Sequence, residues 1–313
     1  MKIRRALLNI MILVLIWTFL SGCSSIVGDE ESVSNDRIKI IATLFPQYDF
    51  AKEIVKEKGE VSLLLPPGVE AHSYEPTPKD IVDIKKTDVF IYTGKYMEPW
   101  VEKLIENMDK DSIVVIDISQ GIELIDEEDH DHGHDEKDPH IWLDPVYGEK
   151  IVDNILEGIL MADGENEDFY RQNAKAYKEK LAELDKKFEE TFSKTKHKTI
   201  MHGGHFAFGY FAKRYGLEYM SPYEGFTPNA EPTPRRILEL IERMKSTGIN
   251  VIYYEELIDP KVAKIISDET GAEMLQLHGA HNISKEELES GISYIEIMES
   301  NLEKLKQGLI YDE

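Results

Sequence analysis

Cysteine occurs once in the 313 residues, at Cys23, so no disulfide can form inside the chain. Positive charge is in short supply: 36 Lys and Arg face 60 Asp and Glu, for a formal net charge of −24. That deficit argues against nucleic acid as a partner, because a polyanion would be repelled. It argues equally against broad contact with anionic lipid. Salt screens the field within about 10 Å, so the acidity permits cation binding without being evidence for it. A His-Glu-x-x-His run is missing too, so the usual metalloprotease base is not encoded beside its ligands. Long apolar runs are confined to Ala6–Leu20.

What is present begins with a hydrophobic content of 42%, enough for real cores in a length with room for two domains. Met1-Lys-Ile-Arg-Arg gives Ala6–Leu20 a charged start. The run is short for a membrane span and right for a secretory leader. It closes in Leu20-Ser21-Gly22-Cys23, which resembles a bacterial lipobox. The resemblance implies a signal peptide over 1–22, cut before Cys23, with lipid on that cysteine. Residues 23–36 then read as a polar, Ser-rich and acidic tether. The chain is expected to work outside the cell membrane while anchored to it.

From Arg37 short β-rich runs alternate with amphipathic stretches. Ile38–Thr43, Val61–Leu65, Val89–Tyr92 and Ile113–Asp117 read as strands, with helices at Phe50–Lys58, Pro78–Lys86 and Pro99–Met108. A long helix over about Asp168–Lys194 follows, because Tyr177, Leu181, Leu184, Phe188 and Phe192 fall on one 3.6-residue stripe. No Gly or Pro interrupts Glu165–Lys198. The pattern then restarts. Strands are expected at Thr199–Met201, Glu218–Met220, Val251–Tyr254 and Met274–Leu277, and helices at Phe206–Tyr215, Arg235–Ser246 and Pro260–Thr270. One last helix opens with the capping box Ser284-Lys-Glu-Glu287 and continues through Leu288, Ile292, Ile295, Met298, Leu302 and Leu305. The expected fold is therefore α/β: two similar lobes of parallel sheet flanked by helices, residues 37–164 and 198–313, joined by one long rigid helix within 165–197.

The chemistry gathers on histidine. The acidic stretch 126–138 carries His130, His132 and His134 and almost nothing apolar, so it has no means of folding alone. Imidazole and carboxylate suit borderline divalent metals; a solvated loop that binds nothing is the plain alternative. Asp138-Pro-His-Ile-Trp-Leu-Asp-Pro follows at once and sets His140 among bulky side chains and stiffening prolines. His72, His140 and His205 lie in loops at lobe edges, and His278 and His281 follow the last strand. Ligands of parallel sheets collect at loops leaving the carboxyl ends of strands, so two histidines from each lobe would meet in a cleft between them. Spacing alone does not select them, since loop histidines are often merely exposed. His197, between Lys196 and Lys198, reads as a solvated surface residue.

Four segments make the comparison specific: His72-Ser-Tyr-Glu-Pro-Thr-Pro, Tyr92-Thr-Gly with Met97-Glu-Pro-Trp, Asp138-Pro-His-Ile-Trp-Leu-Asp-Pro, and His205-Phe-Ala-Phe-Gly-Tyr-Phe-Ala-Lys-Arg-Tyr-Gly-Leu. Together they resemble the zinc/manganese substrate-binding lipoproteins of bacterial ABC transporters, over essentially all of Arg37–Leu309 and in the same order. The resemblance implies metal in the interlobe cleft, with His72, His140 and His205 as ligands. Zinc members have His at the third position, where manganese members usually carry Glu. The fourth position is an acid in many members, yet no acid stands between Glu273 and Glu286 here. His281 falls where some zinc members place Glu; His278 and water are the alternatives. The His-rich loop is likewise a feature of the zinc branch, where it is thought to collect or relay zinc.

Three imidazoles and a fourth N or O donor form a tetrahedral zinc site. The resemblance implies a monomeric, lipid-anchored receptor without catalytic activity that carries Zn²⁺ to a membrane permease driven by a cytoplasmic ATPase. Three other readings are kept beside it. A manganese-binding homologue would carry Mn²⁺ in place of Zn²⁺. A metal-dependent surface adhesin would need an exposed patch that the sequence does not display. A secreted zinc hydrolase would need a base, for which Glu70, two residues before His72, is the candidate.

Overall fold

A computed structural model describes residues 37–108, 112–126, 137–223 and 232–310. The first sheet contains β1 (Ile38–Ala42), β2 (Gly59–Leu63), β3 (Val89–Tyr92) and β4 (Val114–Asp117), in the order β2–β1–β3–β4. Every pairing is parallel. The central strand β3 is buried along its whole length, as expected of a β-branched and aromatic run covered on both faces. The covering helices are α1 (Phe45–Val55), α2 (Pro78–Ile84), α3 (Trp100–Glu106) and α4 (Pro145–Ala162).

The second half repeats the arrangement with a weaker sheet. Strands β5 (Thr199–Met201) and β6 (Glu218–Met220) form one parallel pair, and β7 (Val251–Tyr254) and β8 (Glu273–Gln276) another. A single parallel bridge between His202 and Tyr253 joins the pairs, which gives the order β6–β5–β7–β8. That matches the first sheet strand for strand. Helices α6 (Gly209–Tyr215), α7 (Pro234–Thr247) and α8 (Lys261–Thr270) lie between these strands in the chain.

Between the halves runs α5 (Glu167–Ser193), 27 residues long, or about 40 Å at 1.5 Å per residue. Its buried stripe is Tyr170, Ala174, Tyr177, Leu181, Leu184, Phe188 and Phe192. In its first half Tyr177 packs on Phe50 of α1, and near the end Phe188 and Phe192 pack on Phe211 of α6. One continuous core therefore takes residues from both sheets. Smaller clusters lie elsewhere in each half, one around Phe90, Val101 and Leu104, the other around Leu240, Met244 and Ile266. No helix among the described residues is long and apolar enough to cross a membrane.

The sequence expectations need four corrections. Helix α4 was not anticipated, although Asp144 caps it through the Val146 amide and Pro145 begins it. Helix α1 starts at Phe45, earlier than expected, and ends at Val55. The last helix is two: α9 (Lys285–Ser290) stops at Gly291, which takes φ +74°, and α10 (Tyr294–Leu309) starts again under a second capping box, Ser293 with Glu296. A left-handed glycine followed by a fresh cap ends one helix and reorients the next. Finally, the second sheet is two strand pairs tied by one bridge, because β5 and β6 have only three residues each.

Candidate metal centre

Four histidines reach one point from four connections, each following a different strand. His72 follows β2, His140 follows β4, His205 follows β5 and His281 follows β8. One ligand atom from each lies within 4.8 Å of the others. The six distances between ring centroids run from 4.8 to 5.5 Å. Six nearly equal separations describe a tetrahedron. His72 is half-buried, and the other three are buried.

Carboxylates behind the rings decide which nitrogen faces inward. Asp138 Oδ1 lies 2.7 Å from His140 Nδ1 and also accepts the His140 amide at 2.9 Å. Glu255 takes Nδ1 of His205 through Oε2 and the His205 amide through Oε1. Glu256 Oε1 lies 3.3 Å from His281 Nδ1. A carboxylate at Nδ1 keeps the proton there, which leaves Nε2 with a free lone pair. The Nε2 atoms of His205 and His281 are buried without a hydrogen-bond partner. Those of His140 and His72 face each other at 3.2 Å. Zinc–nitrogen bonds of about 2.0–2.1 Å at the tetrahedral angle put donor nitrogens about 3.3 Å apart. The donor set fits that cation.

Burial keeps the His72 and His140 rings neutral. It pushes His72 down to about 2, helped by the neighbouring His281 and His205. His140 is held well below its ordinary value, again chiefly by burial and then by the other imidazoles. Burial also lifts Asp138 up to about 7, against the His140 amide and His205. A cation arriving at Nε2 would favour the ionised carboxylate.

The backbone around the fourth ring is fixed by side chains. Asn301 of α10 accepts the His278 amide and donates to the His278 carbonyl, both at 2.8 Å. Glu256 Oε2 accepts the Gly279 amide at 2.7 Å. His278 itself lies outside the four-ring group. Its Nδ1 accepts the Ala280 amide at 2.9 Å, and its ring stands 3.6 Å from both Glu256 and Glu287. Glu70 is likewise committed elsewhere: its two oxygens accept the His72 and Ser73 amides and the Ser73 hydroxyl. His130, His132, His134 and Cys23 lie outside the described residues.

Sequence reasoning did not assign the three supporting carboxylates. Asp138 carried a local signal, two residues before His140. Glu255 and Glu256 carried none, standing 50 and 25 residues from the rings they hold.

The family model for the zinc-uptake complex component A, periplasmic, matches residues 40–308. The high-affinity zinc uptake system protein ZnuA of Bacillus subtilis is 39% identical over 298 residues, covering 92% of each chain. The Zn(II)-bound ZnuA-like domain of Streptococcus pneumoniae AdcA superposes with a TM-score of 0.75 at 34% identity, over 87% of this chain and 99% of that domain. The chain covers 58% of full-length pneumococcal AdcA. Similar too is the laminin-binding protein Lmb of Streptococcus agalactiae, described as bifunctional in adhesion and metal transport. It has a TM-score of 0.78 and 28% identity, over 87% of this chain and 99% of that one.

Proposed function

The chain belongs to the zinc-uptake complex component A family, and from that premise we propose that it captures Zn²⁺ outside the cytoplasm through His72, His140, His205 and His281. It is the high-affinity zinc-binding component of an ABC importer. One observation carries the ligand assignment: four imidazoles from four separate connections turn Nε2 inward with near-tetrahedral spacing. Zinc is cargo here, so the site must fill and empty. Borderline nitrogen donors favour Zn²⁺ over Mg²⁺, Ca²⁺ and Mn²⁺.

Capture precedes handover to a permease driven by a cytoplasmic ATPase, the partners with which the family works. In this reading lipid on Cys23 keeps the receptor at the membrane, and residues 23–36 give it reach. Residues 37–164 and 198–313 are the two lobes and 165–197 the link. His130, His132 and His134 act as an auxiliary collecting loop.

Metal analysis with competition titration tests the assignment on wild type, His140→Ala, His281→Ala and a deletion of 127–136. One tight zinc per chain, weakened by either substitution and spared by the deletion, supports it. Tight zinc that vanishes only with the loop would place capture in 127–136 instead. Preferential retention of manganese would put the protein in the sister branch.

A second activity, adhesion, is favoured by the likeness to Lmb. Binding to immobilised laminin, measured on wild type and on His140→Ala, separates it from transport. Laminin binding that survives loss of zinc is an independent adhesive function. No laminin binding by either form removes it.

A further inference from the structure

Helix α6 grips the segment bearing His140 at both ends. Tyr210 and Arg214 are four residues apart, so they share one face of the helix. The Tyr210 hydroxyl donates to the Asp138 carbonyl at 2.7 Å and accepts the Ile125 amide at 3.0 Å. One turn later Arg214 donates through Nε to Asp144 Oδ1. Asp138 stands two residues before His140, and Asp144 four residues after it. Tyr147 fills the space between, edge-on to Tyr210 at 5.6 Å and with its ring 5.9 Å from the Arg214 guanidinium.

The start of the helix is as closely fitted. A Cβ on Gly209 would lie 2.6 Å from Asp138 Oδ2, nearer than a carbon and an oxygen can approach without displacement. The same stretch of chain begins with His205, four residues ahead of Gly209. Thus one short segment carries a ring of the second half and holds the backbone of Asp138, whose carboxylate orients a ring of the first.

We propose that Tyr210 and Arg214 are positioning residues for metal capture, fixing the Asp138–His140 pair against His205 before the ion arrives. The inference rests on the reading of His140 and His205 as ligands. Neither Tyr210 nor Arg214 is among the inward-facing ligand groups; both act through Asp138 and Asp144. Their contribution is geometric. A preformed pair of imidazoles does not have to be ordered by the ion, so more of the binding free energy appears as affinity. Without the grip, the first half would present His140 over a wider range of angles.

The test compares wild type, Tyr210→Phe, Arg214→Gln, Arg214→Lys and His140→Ala in the purified protein. Zinc affinity is read by competition titration, coordination geometry by the visible absorption of the Co²⁺ form, and folding by thermal melting without metal. Tyr210→Phe and Arg214→Gln are each expected to weaken zinc about 10-fold, the low end for groups that support metal ligands. Cobalt absorption should lose intensity or shift in both variants, a change that general loss of stability does not produce in molecules that remain folded. Arg214→Lys should recover part of the affinity. If both variants bind zinc within about two-fold of wild type with an unchanged cobalt spectrum, while His140→Ala binds poorly, the grip has no role and the ligand assignment stands. If His140→Ala binds zinc like wild type, the ligand assignment itself falls, and this inference with it. Arg214 is partly exposed, so its variants remain informative should Tyr210→Phe fail to fold.

Discussion

Trp142 donates its indole N–H to the carbonyl of Gly279 at 2.8 Å, tying the segment of His140 to the segment of His281 across 137 residues of chain. The indole ring is fully buried and meets both imidazoles edge-on, at 5.4 Å from His140 and 5.3 Å from His281. One side chain thus sets two rings at once. Trp142→Phe keeps an aromatic face but leaves the Gly279 carbonyl without its partner and opens space beside both rings. An unpaired buried acceptor costs about 1–3 kcal/mol, and the smaller ring adds a packing loss. The expected outcome is a lower melting temperature of the metal-free protein and zinc affinity reduced about 10-fold. Melting curves and competition titration on the same sample check both parts.

His278 and His281 separate by role. His281 faces the other three rings, whereas His278 supports the turn between them by accepting the Ala280 amide. His278→Ala should therefore destabilise the fold by about 1–3 kcal/mol, through one orphaned amide, while zinc stays at one per chain. His281→Ala should do the reverse: modest change in melting, but zinc weakened by more than about 100-fold, beyond what loss of a supporting group produces. Zinc at 100 times its dissociation constant adds about 2.7 kcal/mol of stability. The rise in melting temperature on adding zinc should accordingly persist in His278→Ala and nearly vanish in His281→Ala.

How far the fold could be read from sequence depended on the kind of signal. Val89–Tyr92 was legible residue by residue, because an unbroken β-branched and aromatic run is what a strand buried on both faces requires. The long helix was legible because its stripe continues for 27 residues without Gly or Pro. Helix α4 was missed because the prolines around His140 were read only as stiffening the backbone; yet Pro145, at the first helical position after the capping Asp144, is a helix start. The resemblance named His72, His140 and His205, and the four rings that converge include them. Glu255 and Glu256 were not legible, since adjacent acids after a strand look like any solvated turn until the fold brings them to His205 and His281. Tertiary proximity, not local pattern, makes them part of the site.

Gly158 explains part of the difficulty with α4. A Cβ there would lie 2.2 Å from Ile116 Cδ1 and 2.4 Å from Ile116 Cγ1, so the helix lies directly on β4 with no room for a side chain. Glycine weakens helix propensity by about 1 kcal/mol relative to alanine, and close packing outweighs that here. Gly158→Ala should consequently destabilise by about 1–3 kcal/mol, the usual cost of overpacking, instead of stabilising as helix propensity alone would have it. Zinc stoichiometry should be unaffected, because β4 meets α4 away from the four rings. A urea titration of the metal-free protein, compared with its zinc content, checks both statements.

Beside the first sheet, between β3 and α3, lies a buried acid with a consequence for pH. Glu98 accepts the Thr43 hydroxyl at 2.5 Å, the Thr93 hydroxyl at 3.1 Å and the Thr93 amide at 3.1 Å. Its partners follow β1 and β3, the two strands between which the chain changes direction across the sheet. Burial pushes Glu98 up to about 7, and the bonds from Thr43 and Thr93 only partly oppose it. An acid with a native pKa above its unfolded value holds its proton more tightly when folded. Between the ordinary carboxyl value of 4.5 and about 7 the native state therefore binds more protons than the unfolded one, and stability falls as pH rises through that window. The full shift corresponds to about 3 kcal/mol. Glu98→Gln removes the ionisation while its amide oxygen can still accept from Thr43 and Thr93. Denaturant titrations of metal-free protein at pH 5 and pH 8 should show wild type losing stability between them by an amount that Glu98→Gln lacks. Equal pH dependence in the two proteins would mean that Glu98 ionises in the folded chain as it does in the unfolded one.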